Sequence, residues 1–438
     1  MLRFRWETEF KETEIGEIPR EWEVRKLGDN RFFKILPSGI KEFEGFKEYL
    51  STSSVEGSEI VKIEEVITYD KRPSRANMQP VENSVWLARM INSPKFLKAN
   101  KDLIENKILS TGFLGIQTKA KETCDYLFYY IQTREFQEYK DAFVTGAVQE
   151  SLTNESAKDL LVIIPPLPEQ SRIATVLSWF DDLIEVKKRQ NEILEKTAMA
   201  IFKSWFIDFE PFRDGEFVYS EELGKEIPKG WEVKKIGEVA DLKNGLSYKG
   251  SEKFNEQIHG SLIFITLNNI IEGGGFKTEY AWIKSERIKN QHLLKEGDII
   301  FANTEQTKTG RLLGTPAFVI FPPQYSKSVG VFSHHLTKIN PKDFRMKYFF
   351  YLLFRLYQQE FAQSFHTGTG VWGFDLQNFK TNYLIPIPPS HILQSFHSLV
   401  EPLFQKIILN QKQITTLRKI RDTLLPLLVF GKLRVEEA

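Results

Sequence analysis

Two segments of the chain carry apolar residues at alternating spacings of four and three over about nine helical turns. The first segment extends from Ile173 to Trp205, and adding 223 to each of its seam positions gives the second, from Phe396 to Leu428. This 4-3 spacing is typical of helices packed side by side. Because both helices keep one register, we predict that they pair with each other. The seam positions expected in this contact include Ile184, Leu194, Ile407 and Leu417.

Polar residues interrupt both seams near their middles. Lys187 and Asn191 do so in the first segment, and Asn410 in the second. Buried polar seam residues lower stability but fix the register of paired helices. The first helix is predicted from about Pro168 to Trp205, a length of roughly 55 Å. In the second segment, Pro402 falls inside the pattern and should start or kink that helix.

The helices belong to a longer internal repeat. Matching landmarks recur in the same order, with an offset that grows from 209 to 223, which indicates a tandem duplication rather than a solenoid of short repeats. Before the helices, the matched pairs are EIGEIPREWEVRKLG (14–28) with EELGKEIPKGWEVKKIG (221–237), ENSVWLAR (82–89) with EGDIIFAN (296–303), DYLFYYI (125–131) with KYFFYLL (347–353), and Thr145-Gly146 with Thr367-Gly368.

The stretches before each helix mix the two kinds of secondary structure. Apolar and β-branched runs predict strands, and two aromatic-rich segments, 124–143 and 346–365, predict helices. The predicted strands lie within 22–24, 58–69, 83–90, 108–119, 261–270, 297–303 and 315–321. We therefore predict an α+β fold in which two diverged mixed α/β domains are separated and held by two antiparallel coiled-coil helices with pseudo-two-fold symmetry. The predicted boundaries are 1–165 and 209–385 for the domains and 166–208 and 386–438 for the helices.

The composition limits which classes of protein the chain can belong to. A chain of 438 residues is longer than a single domain with one hydrophobic core usually is, and contents of 41% apolar and 27% charged residues are typical of globular proteins. The single cysteine, Cys124, excludes a disulfide framework and a multi-cysteine zinc site. The start lacks a signal-peptide apolar region, and runs such as YFFYLLF (348–354) are too short to span a membrane, so we expect a cytoplasmic protein. The net charge of +1 allows nucleic-acid binding only through local patches, with help from partners.

Catalytic motifs are missing from the sequence. GTGVWG (368–373) fits the dinucleotide spacing but follows a predicted helix instead of a strand, so we interpret it as a tight turn. The chain has no phosphate-binding G-x-x-x-x-G-K-[ST] loop, no His-x-x-x-His pair and no nucleophile elbow. FPPQY (321–325) is not the Asn/Asp-Pro-Pro-aromatic motif of adenine-modifying enzymes. We predict a scaffold with binding surfaces and neither catalytic nor metal-binding residues.

One candidate DNA-binding segment lies in the first half, in the proline-bounded loop 68–80. Arg, Asn and Gln are the side chains that read base edges with two hydrogen bonds. An ordinary solvated loop remains the alternative. The candidate residues are Lys71, Arg72, Arg75, Asn77 and Gln79.

Two polar segments beside predicted strands are the candidates in the second half, 303–311 and 333–335, with the same alternative. Their candidate residues are Asn303, Gln306, Lys308, Arg311, His334 and His335. Beyond them, the C-terminal helix region carries seven cations and one acid from 406 to 434, a net +6 that could face phosphates or a partner. These cations are Lys406, Lys412, Arg418, Lys419, Arg421, Lys432 and Arg434, against Asp422.

Taken together, these landmarks give the chain a resemblance to the DNA specificity subunits of type I restriction-modification systems. It rests on the duplicated IP..WEV..LG entry, on PPLPEQSRIATVLSWFDDLIE (165–185) after a Thr-Gly, and on the ending LRKIRDTLLPLLVFGKL (417–433), and it covers essentially the whole chain. The resemblance implies a non-catalytic subunit whose two domains each recognise one half of a split target in double-stranded DNA. It implies helices that set the spacer and dock two methyltransferase subunits, with restriction-translocase subunits completing the complex. S-adenosylmethionine, ATP and magnesium would then bind those partners, and no cofactor would bind this chain.

The sequence departs from that pattern in one place. PSHILQ (389–394) in the second half lacks the Glu-Gln-Ser-Arg of the first, so the two docking surfaces need not be equivalent. Two other functions stay open from sequence: a bivalent protein scaffold without a DNA role, and a stand-alone DNA methyltransferase, which the missing motif disfavours.

Overall fold

The computed structural model describes residues 2–144, 151–307, 309–325 and 328–437. Two compact units make up the chain, one of Met1–Leu183 with Leu417–Ala438 (unit 1) and one of Ile184–Thr416 (unit 2). Each unit therefore contains one end of both long helices. The sequence-based domain boundaries at 165, 208 and 385 stay a prediction.

Short helices belong to the globular parts, and two long ones follow the seams. In chain order they are α1 (Lys101–Asn106), α2 (Lys121–Tyr130), α3 (Arg134–Ala142), α4 (Asn154–Lys158), α5 (Leu167–Phe206), α6 (Ile236–Val239), α7 (Lys347–Ser364), α8 (Leu376–Asn382) and α9 (Ser390–Val429). The 40 residues of α5 and of α9 each correspond to about 60 Å. The predicted extent of the first long helix is confirmed. Of the two alternatives for Pro402, the one that it starts the second helix is wrong, because α9 begins at Ser390 and continues through this exposed proline, and the one that it kinks the helix stays a prediction.

Polar contacts join α5 and α9 within unit 2. Lys187 Nζ donates to Gln413 Oε1 over 2.6 Å, and Asn410 Nδ2 donates to Asn191 Oδ1 at 2.9 Å and Gln190 Oε1 at 3.3 Å. Numbers rise along one helix as they fall along the other, so the helices are antiparallel. Adding 223 to Lys187 and subtracting it from Gln413 gives Asn410 and Gln190, as a local two-fold relation requires.

The predicted seam residues differ in exposure. Ile184 is buried, whereas Leu194, Ile407 and Leu417 are half-buried. Ile407 packs against a core to which α5 contributes Phe202. The cross-helix contacts predicted for the other three stay a prediction.

Replacing Asn410 by leucine should raise the free energy of unfolding by about 1–3 kcal/mol. Asn410 is fully buried and its Oδ1 has no hydrogen-bond partner, while Gln190, one of its acceptors, is exposed and can bond to water instead. Urea unfolding of the full chain measures the change, and Thr416→Leu, at an exposed position of α9, is the matched control. A lower stability of Asn410→Leu would contradict the expectation, because the amide hydrogen bonds would then be net stabilising.

Unit 1 contains two four-stranded sheets, with strand orders β10-β13-β6-β9 and β12-β11-β14-β5, and several two-stranded pairs. Its strands are β1 (Leu2–Trp6), β2 (Phe10–Lys11), β3 (Ile18–Pro19), β4 (Glu23–Lys26), β5 (Phe33–Ile35), β6 (Lys47–Leu50), β7 (Val55–Glu56), β8 (Glu59–Ile60), β9 (Glu65–Ile67), β10 (Ala76–Met78), β11 (Ser84–Ala88), β12 (Phe96–Lys98), β13 (Lys107–Ser110), β14 (Phe113–Thr118) and β15 (Leu161–Ile164), completed by the last strand of the described chain, Leu433–Glu437. That last strand pairs antiparallel with β1 along its whole length.

Unit 2 contains a four-stranded sheet of order β19-β28-β24-β26, a five-stranded sheet of order β20-β22-β21-β27-β23 and a three-stranded sheet of order β25-β30-β29. Its strands are β16 (Phe217–Ser220), β17 (Lys225–Pro228), β18 (Glu232–Lys235), β19 (Ala240–Asn244), β20 (Lys253–Phe254), β21 (Leu262–Ile265), β22 (Ala281–Ile283), β23 (Leu293–Leu294), β24 (Ile299–Ala302), β25 (Thr304–Glu305), β26 (Pro316–Phe318), β27 (Gly330–Phe332), β28 (Leu336–Pro341), β29 (His366–Thr367), β30 (Trp372–Phe374) and β31 (Leu384–Ile387), so the strand of unit 1 at Leu433–Glu437 is β32.

The strand that enters each half pairs with the strand that leaves it, in the same register in both units. In unit 1 Glu23 of β4 faces Ile164 of β15, and in unit 2 Glu232 of β18 faces Ile387 of β31. These residues are related by the offsets 209 and 223 found in the sequence. This strand pair of the duplicated framework therefore keeps its register in both units.

Three local predictions need correction. The segment 124–143 forms two helices, α2 and α3, because Thr133 follows the first and caps the second by accepting a hydrogen bond from Phe136 N at 3.3 Å. The run 58–69 forms the separate short strands β8 and β9, and the run 108–119 forms β13 and β14 of different sheets, instead of one strand each.

A buried ionic cluster lies in unit 1 where the two strand ends β1 and β32 meet. Arg434 pairs with Glu169 of α5 and with Glu7, and all three side chains are at most 10% exposed. Trp22 completes it by donating from Nε1 to Glu169 Oε2 at 2.9 Å, with the Arg434 guanidinium 5.6 Å from its ring centre. These partners compensate the burial of the charges.

Unit 2 has aromatic rings in the corresponding place. Trp231, which the 209 offset relates to Trp22, packs on Phe206 and Phe209 at ring-centre distances of 5.8 and 5.2 Å. Phe206 also contacts Phe396 of α9 at 4.7 Å. The two halves thus share a strand framework, but an ionic cluster surrounds the tryptophan at the equivalent position in unit 1 and aromatic rings surround it in unit 2.

Candidate nucleic-acid interfaces

The first candidate segment forms strand β10 and the turn before it. Ala76 and Met78 are fully buried, which leaves Asn77 and Gln79 half-buried on the other side and Arg75 exposed. The strand is the last in the order of its sheet, next to β13, and Gly39 forms an isolated bridge with Met78 and donates from its amide N to the Asn77 carbonyl oxygen at 2.8 Å. Three of the predicted base-reading side chains are therefore brought together on and just before this strand.

Aromatic rings support the basic residues beside β10. The Arg72 guanidinium lies 4.3 Å from the ring centre of Tyr69 and donates to the carbonyl oxygen of that residue. Tyr69 meets Phe43 edge to face at 5.9 Å, and Lys47 lies 5.3 Å from the Phe43 ring centre. Burial lowers the pKa of Lys47. The predicted residue Lys71 is exposed next to this group.

A cleft of about 310 Å³ opens beside this patch. Gln79, Phe43, Lys41 and Lys47 line it, together with the carboxylates of Glu42 and Glu82 and other residues. Sequence analysis missed Phe43 and Lys47, because nothing local in the sequence links residues 43–47 to residue 79. We define the first polar surface as Phe43, Lys47, Tyr69, Lys71, Arg72, Arg75, Asn77 and Gln79.

In the second half, Asn303 has a different place from the one expected of a base-reading residue. It is 6% exposed, and its Nδ2 donates to Thr337 Oγ1 at 2.9 Å, to the His334 carbonyl oxygen at 3.0 Å and to Asn244 Oδ1 at 3.2 Å. These bonds join the residue that follows β24 to β28, to the segment just before β28 and to the end of β19. The Asn303 amide therefore donates its hydrogen bonds within the protein, where they stabilise the neighbouring strands, and does not offer them to a ligand.

Gln306 and Arg311 lie in the loop after β25, and both are exposed. Arg311 Nη1 is 3.4 Å from Glu272 Oε1, an exposed pair that a phosphate or base could displace at little cost. Lys308, predicted in the same loop, lies outside the described residues. The described part of the loop thus presents the Gln306 amide and the Arg311 guanidinium to solvent.

The two adjacent histidines are half-buried and stack on each other with ring centres 3.9 Å apart. His335 Nδ1 is hydrogen-bonded to Thr304 Oγ1 at 2.9 Å. Burial, and then the neighbouring His334, lower the pKa of His335, which favours the neutral form of that ring. A neutral imidazole can act as a hydrogen-bonding group rather than as a phosphate-binding cation.

The GTGVWG segment is the turn of a hairpin between β29 and β30, as the sequence predicted. Trp372 stacks on His366 with ring centres 4.1 Å apart, and Val371 at the tip is 52% exposed. Gly368 has φ +91°, and a Cβ there would lie 2.4 Å from the Val371 carbonyl oxygen, so this turn requires glycine.

Strand β30 joins this hairpin to β25, next to the loop of Gln306 and Arg311. Sequence analysis missed Val371 and Trp372 as surface residues, although the glycines around them mark an exposed turn. We define the second polar surface as Gln306, Arg311, His334, His335, His366, Val371 and Trp372.

The basic flank predicted for the C-terminal helix is largely neutralised within the protein. Four of its seven cations pair with carboxylates of their own unit, and Arg434 among them is buried. The pairs are Lys412 with Glu296, Arg418 with Glu59, Arg421 with Asp181, and Arg434 with Glu169. The unpaired charge of this flank is therefore smaller than the net +6 counted from the sequence, and its facing phosphates or a partner stays a prediction.

The described ranges contain no group of three or more His, Cys, Asp or Glu residues that could hold a metal ion. In the same ranges, none of the helices has the length and apolar character needed to cross a membrane.

The sequence is similar to a known protein family and to several of its members. The family described as type I restriction modification DNA specificity domain matches the chain twice, over residues 19–196 and 228–419. The chain is 38% identical to the type I restriction enzyme MjaIX specificity subunit of Methanocaldococcus jannaschii, over 100% of this chain and 99% of that protein. It is 23% identical to the HindI specificity subunit of Haemophilus influenzae, over 77% of this chain and 84% of that protein.

A solved structure shares the fold. The S subunit of a type I restriction-modification system from M. genitalium is 18% identical and has a TM-score of 0.51, over 93% of this chain and 96% of that one. The double match and this structure confirm the predicted internal duplication and the two-domain α+β fold with long helices.

Proposed function

Because the chain belongs to the type I restriction-modification DNA specificity family, we propose that each of its globular domains reads one half of a split target in double-stranded DNA. One observation carries this proposal. The framework strands β4–β15 and β18–β31 pair in the same duplicated register, while the polar surfaces of the two units differ in most of their residues. A preserved framework with two unlike surfaces is suited to reading two unlike sequences.

The first polar surface has the chemistry for direct reading of bases. Arg75 can bond to guanine O6 and N7, and Asn77 or Gln79 to adenine N6 and N7. Lys71 and Arg72 beside them suit phosphates, which position the protein without specifying sequence. In the second polar surface Gln306 and Arg311 provide the same two kinds of group, and exposed Val371 could contact a thymine methyl.

The long helices would set the spacer between the half-targets and dock the methyltransferase subunits. Their polar contacts at Lys187 and Asn410 fix one antiparallel register, as a measuring device needs. Exposed apolar side chains on α5 support docking, with Trp179 and Leu183 in unit 1, and Val186 and Ile193 in unit 2.

The equivalent positions of α9, at the 223 offset, carry different residues. They are Pro402, Lys406, Leu409 and Thr416. We therefore infer that the two docking surfaces bind two copies of the methyltransferase subunit with unequal strength. Restriction-translocase subunits would complete the complex. Methyl transfer, with S-adenosylmethionine, and translocation, with ATP and magnesium, are assigned to these partners, and this chain is assigned no catalytic step.

Exchanging residues 228–384 for the equivalent segment of a relative should change one half of the target and leave the other half and the spacer unchanged. Base contacts are made locally by each domain, so the effects should not spread. The measurement is sequencing of methylated adenines in DNA treated with the complex reconstituted from the variant and its methyltransferase subunits. The matched exchange of residues 19–161, which the offsets 209 and 223 relate to 228–384, should change only the other half.

Three outcomes would contradict the proposal. An exchange that alters both halves at once would exclude modular reading. Absence of sequence-specific binding with the partners present would favour a bivalent scaffold. Methylation by the chain alone with S-adenosylmethionine would favour a stand-alone methyltransferase.

A further inference from the structure

A buried carboxylate lies beneath the exposed loop of the second polar surface. Glu305, at the end of β25, is 1% exposed. Its Oε1 accepts from Thr307 Oγ1 and from Thr309 N and Oγ1 at 3.0 and 2.8 Å, and its Oε2 accepts from Leu312 N and Leu313 N at 3.0 and 2.8 Å. Five donors from the following eight residues thus converge on one side chain.

This carboxylate is ionised at neutral pH. Burial raises the pKa of Glu305, but the hydroxyl and amide donors outweigh burial and hold the pKa at about 2. A buried charge is costly unless its hydrogen-bonding capacity is filled. Here the donors come from the loop itself, so the loop must keep this conformation to satisfy the charge.

A second set of contacts fixes the same loop from the opposite side. Gln358 of α7 donates from Nε2 to the carbonyl oxygens of Gly310 and Leu313, at 2.7 and 2.5 Å. Gly310 has φ +70°, and a Cβ there would lie 3.4 Å from Ala362 and 3.5 Å from Trp372. The backbone is thus held against both α7 and the Trp372 hairpin, whereas the Gln306 and Arg311 side chains remain exposed.

We propose that Glu305 is a positioning residue for DNA reading by the second half of the chain. It holds the backbone of residues 305–307 and 309–313 in the conformation that presents Gln306 and Arg311 to base edges beside the Trp372 hairpin. The loop then binds without the ordering cost that a flexible loop would incur. This role rests on the proposed function.

The carboxylate that holds the loop belongs to the second half and has no counterpart at the equivalent position of the first. The 214 offset relates Glu305 to Ile91, so the first half has no carboxylate at that point. There the loop after β11 is held instead by a buried cation, Lys140, whose Nζ donates to the Met90 carbonyl oxygen at 3.1 Å. Loss of the Glu305 charge should therefore affect the second half-target alone.

The test uses Glu305→Gln in the full chain, assembled with its methyltransferase subunits. The amide keeps the shape of the side chain but turns one oxygen into a donor that faces the donors of the loop. A pool of duplexes randomised in both half-targets is the probe, and bound duplexes are sequenced. We expect enrichment of the preferred bases in the second half-target to fall at least about fivefold at one or more positions, with the first half unchanged.

Two further measurements separate positioning from general stability. Amide hydrogen exchange should speed up at Thr309, Leu312 and Leu313 and stay unchanged in the first polar surface. Glu286→Gln, which removes an exposed charge from the same unit, should leave base preferences and exchange as they are. Should Glu305→Gln not fold, Thr309→Val removes two side-chain contacts at an exposed position and should give a smaller loss in the second half-target.

Distinct results would overturn the proposal. A folded Glu305→Gln protein with wild-type preferences in both half-targets would show that Glu305 positions nothing. Equal losses in both half-targets would show a general effect on the protein. If the wild-type complex itself enriched no split sequence, the proposed function would fail first, and the positioning role with it.

Discussion

Inserting four residues after Lys187 in α5, together with four after Asn410 in α9, should lengthen the spacer of the recognised target by about two base pairs. Four helical residues add about 6 Å, close to two base pairs at roughly 3.4 Å each. They also add about one helical turn, so the residues beyond the insertion keep nearly the same facing. The two sites are related by the 223 offset, so the insertions extend both helices at matched points.

The polar contacts between the helices explain why a matched pair of insertions is the sharper experiment. Lys187 pairs with Gln413 and Asn410 with Asn191. Among insertions in α5 alone from Lys187 to Glu195, one placed between Lys187 and Gln190 separates these two contacts and forces one set of partners out of register. A four-residue insertion also breaks the heptad pattern locally. We expect the single insertion to shift the spacer as well, but with weaker binding than the double one.

Methylation of a target series with spacers of different lengths measures the shift. At the original spacer, misreading even two base pairs of a half-target costs about 2–6 kcal/mol, which is a loss of roughly thirtyfold or more. Substituting four residues at the same places without insertion is the control and should keep the spacer. An unchanged spacer, or loss of methylation at every spacer while the partners stay bound, would show that the helices do not set the distance.

Replacing Arg434 by alanine should lower the free energy of unfolding of unit 1 by about 3–5 kcal/mol. The change leaves the Glu7 and Glu169 carboxylates buried without their cation, since both side chains are at most 6% exposed. It also removes the guanidinium from the Trp22 ring. Urea unfolding followed by Trp fluorescence measures the loss, and Arg3→Ala, at an exposed position of β1, is the matched control.

The loss should shrink in acid. Burial raises the pKa of Glu7, but the amides of Glu9 and Thr8 and the Arg434 guanidinium outweigh burial and hold the pKa at about 2. A depressed pKa contributes stability above the unfolded value near 4.3, and that stability is lost as pH falls towards 2. Wild type and Arg434→Ala should therefore converge between about pH 4 and pH 2. A difference below 1 kcal/mol at pH 7 would show that the cluster adds little to stability.

Sequence patterns predicted the features that depend on short-range periodicity. The 4-3 spacing predicted that α5 and α9 pair with each other, and the contact of the seam residues Asn191 and Asn410 confirms this pairing, since side-by-side packing repeats every seven residues. The patterns failed to predict helix boundaries correctly where a single residue decides whether a helix ends or continues. Thr133 splits a predicted helix by capping its second part, and Pro402 is accommodated in the middle of α9.

The candidate surfaces were harder to predict because burial and pairing depend on distant parts of the chain. Asn303 has the composition of a base-reading residue but is enclosed by β28, and Arg434 belongs to a basic run but faces Glu169, 265 positions earlier. Conversely, Trp372 looked like part of a turn only. Its stacking on His366 follows from the pairing of β29 with β30.

The meeting of the chain ends in unit 1 has a consequence for synthesis on the ribosome. The core of unit 1 includes Leu428 and Val435, and Tyr126 donates from its hydroxyl to the Val429 carbonyl oxygen at 2.9 Å. Residues 417–437 emerge after all of unit 2, so the half of the protein that is translated first is the last to complete its core. The apolar residues of unit 1 that pack against residues 417–437 therefore stay exposed to solvent while more than 230 further residues are translated. Exposed apolar surface of this kind promotes aggregation. Nascent chains halted before residue 417 should therefore carry a folded second half and a first half that depends on chaperones.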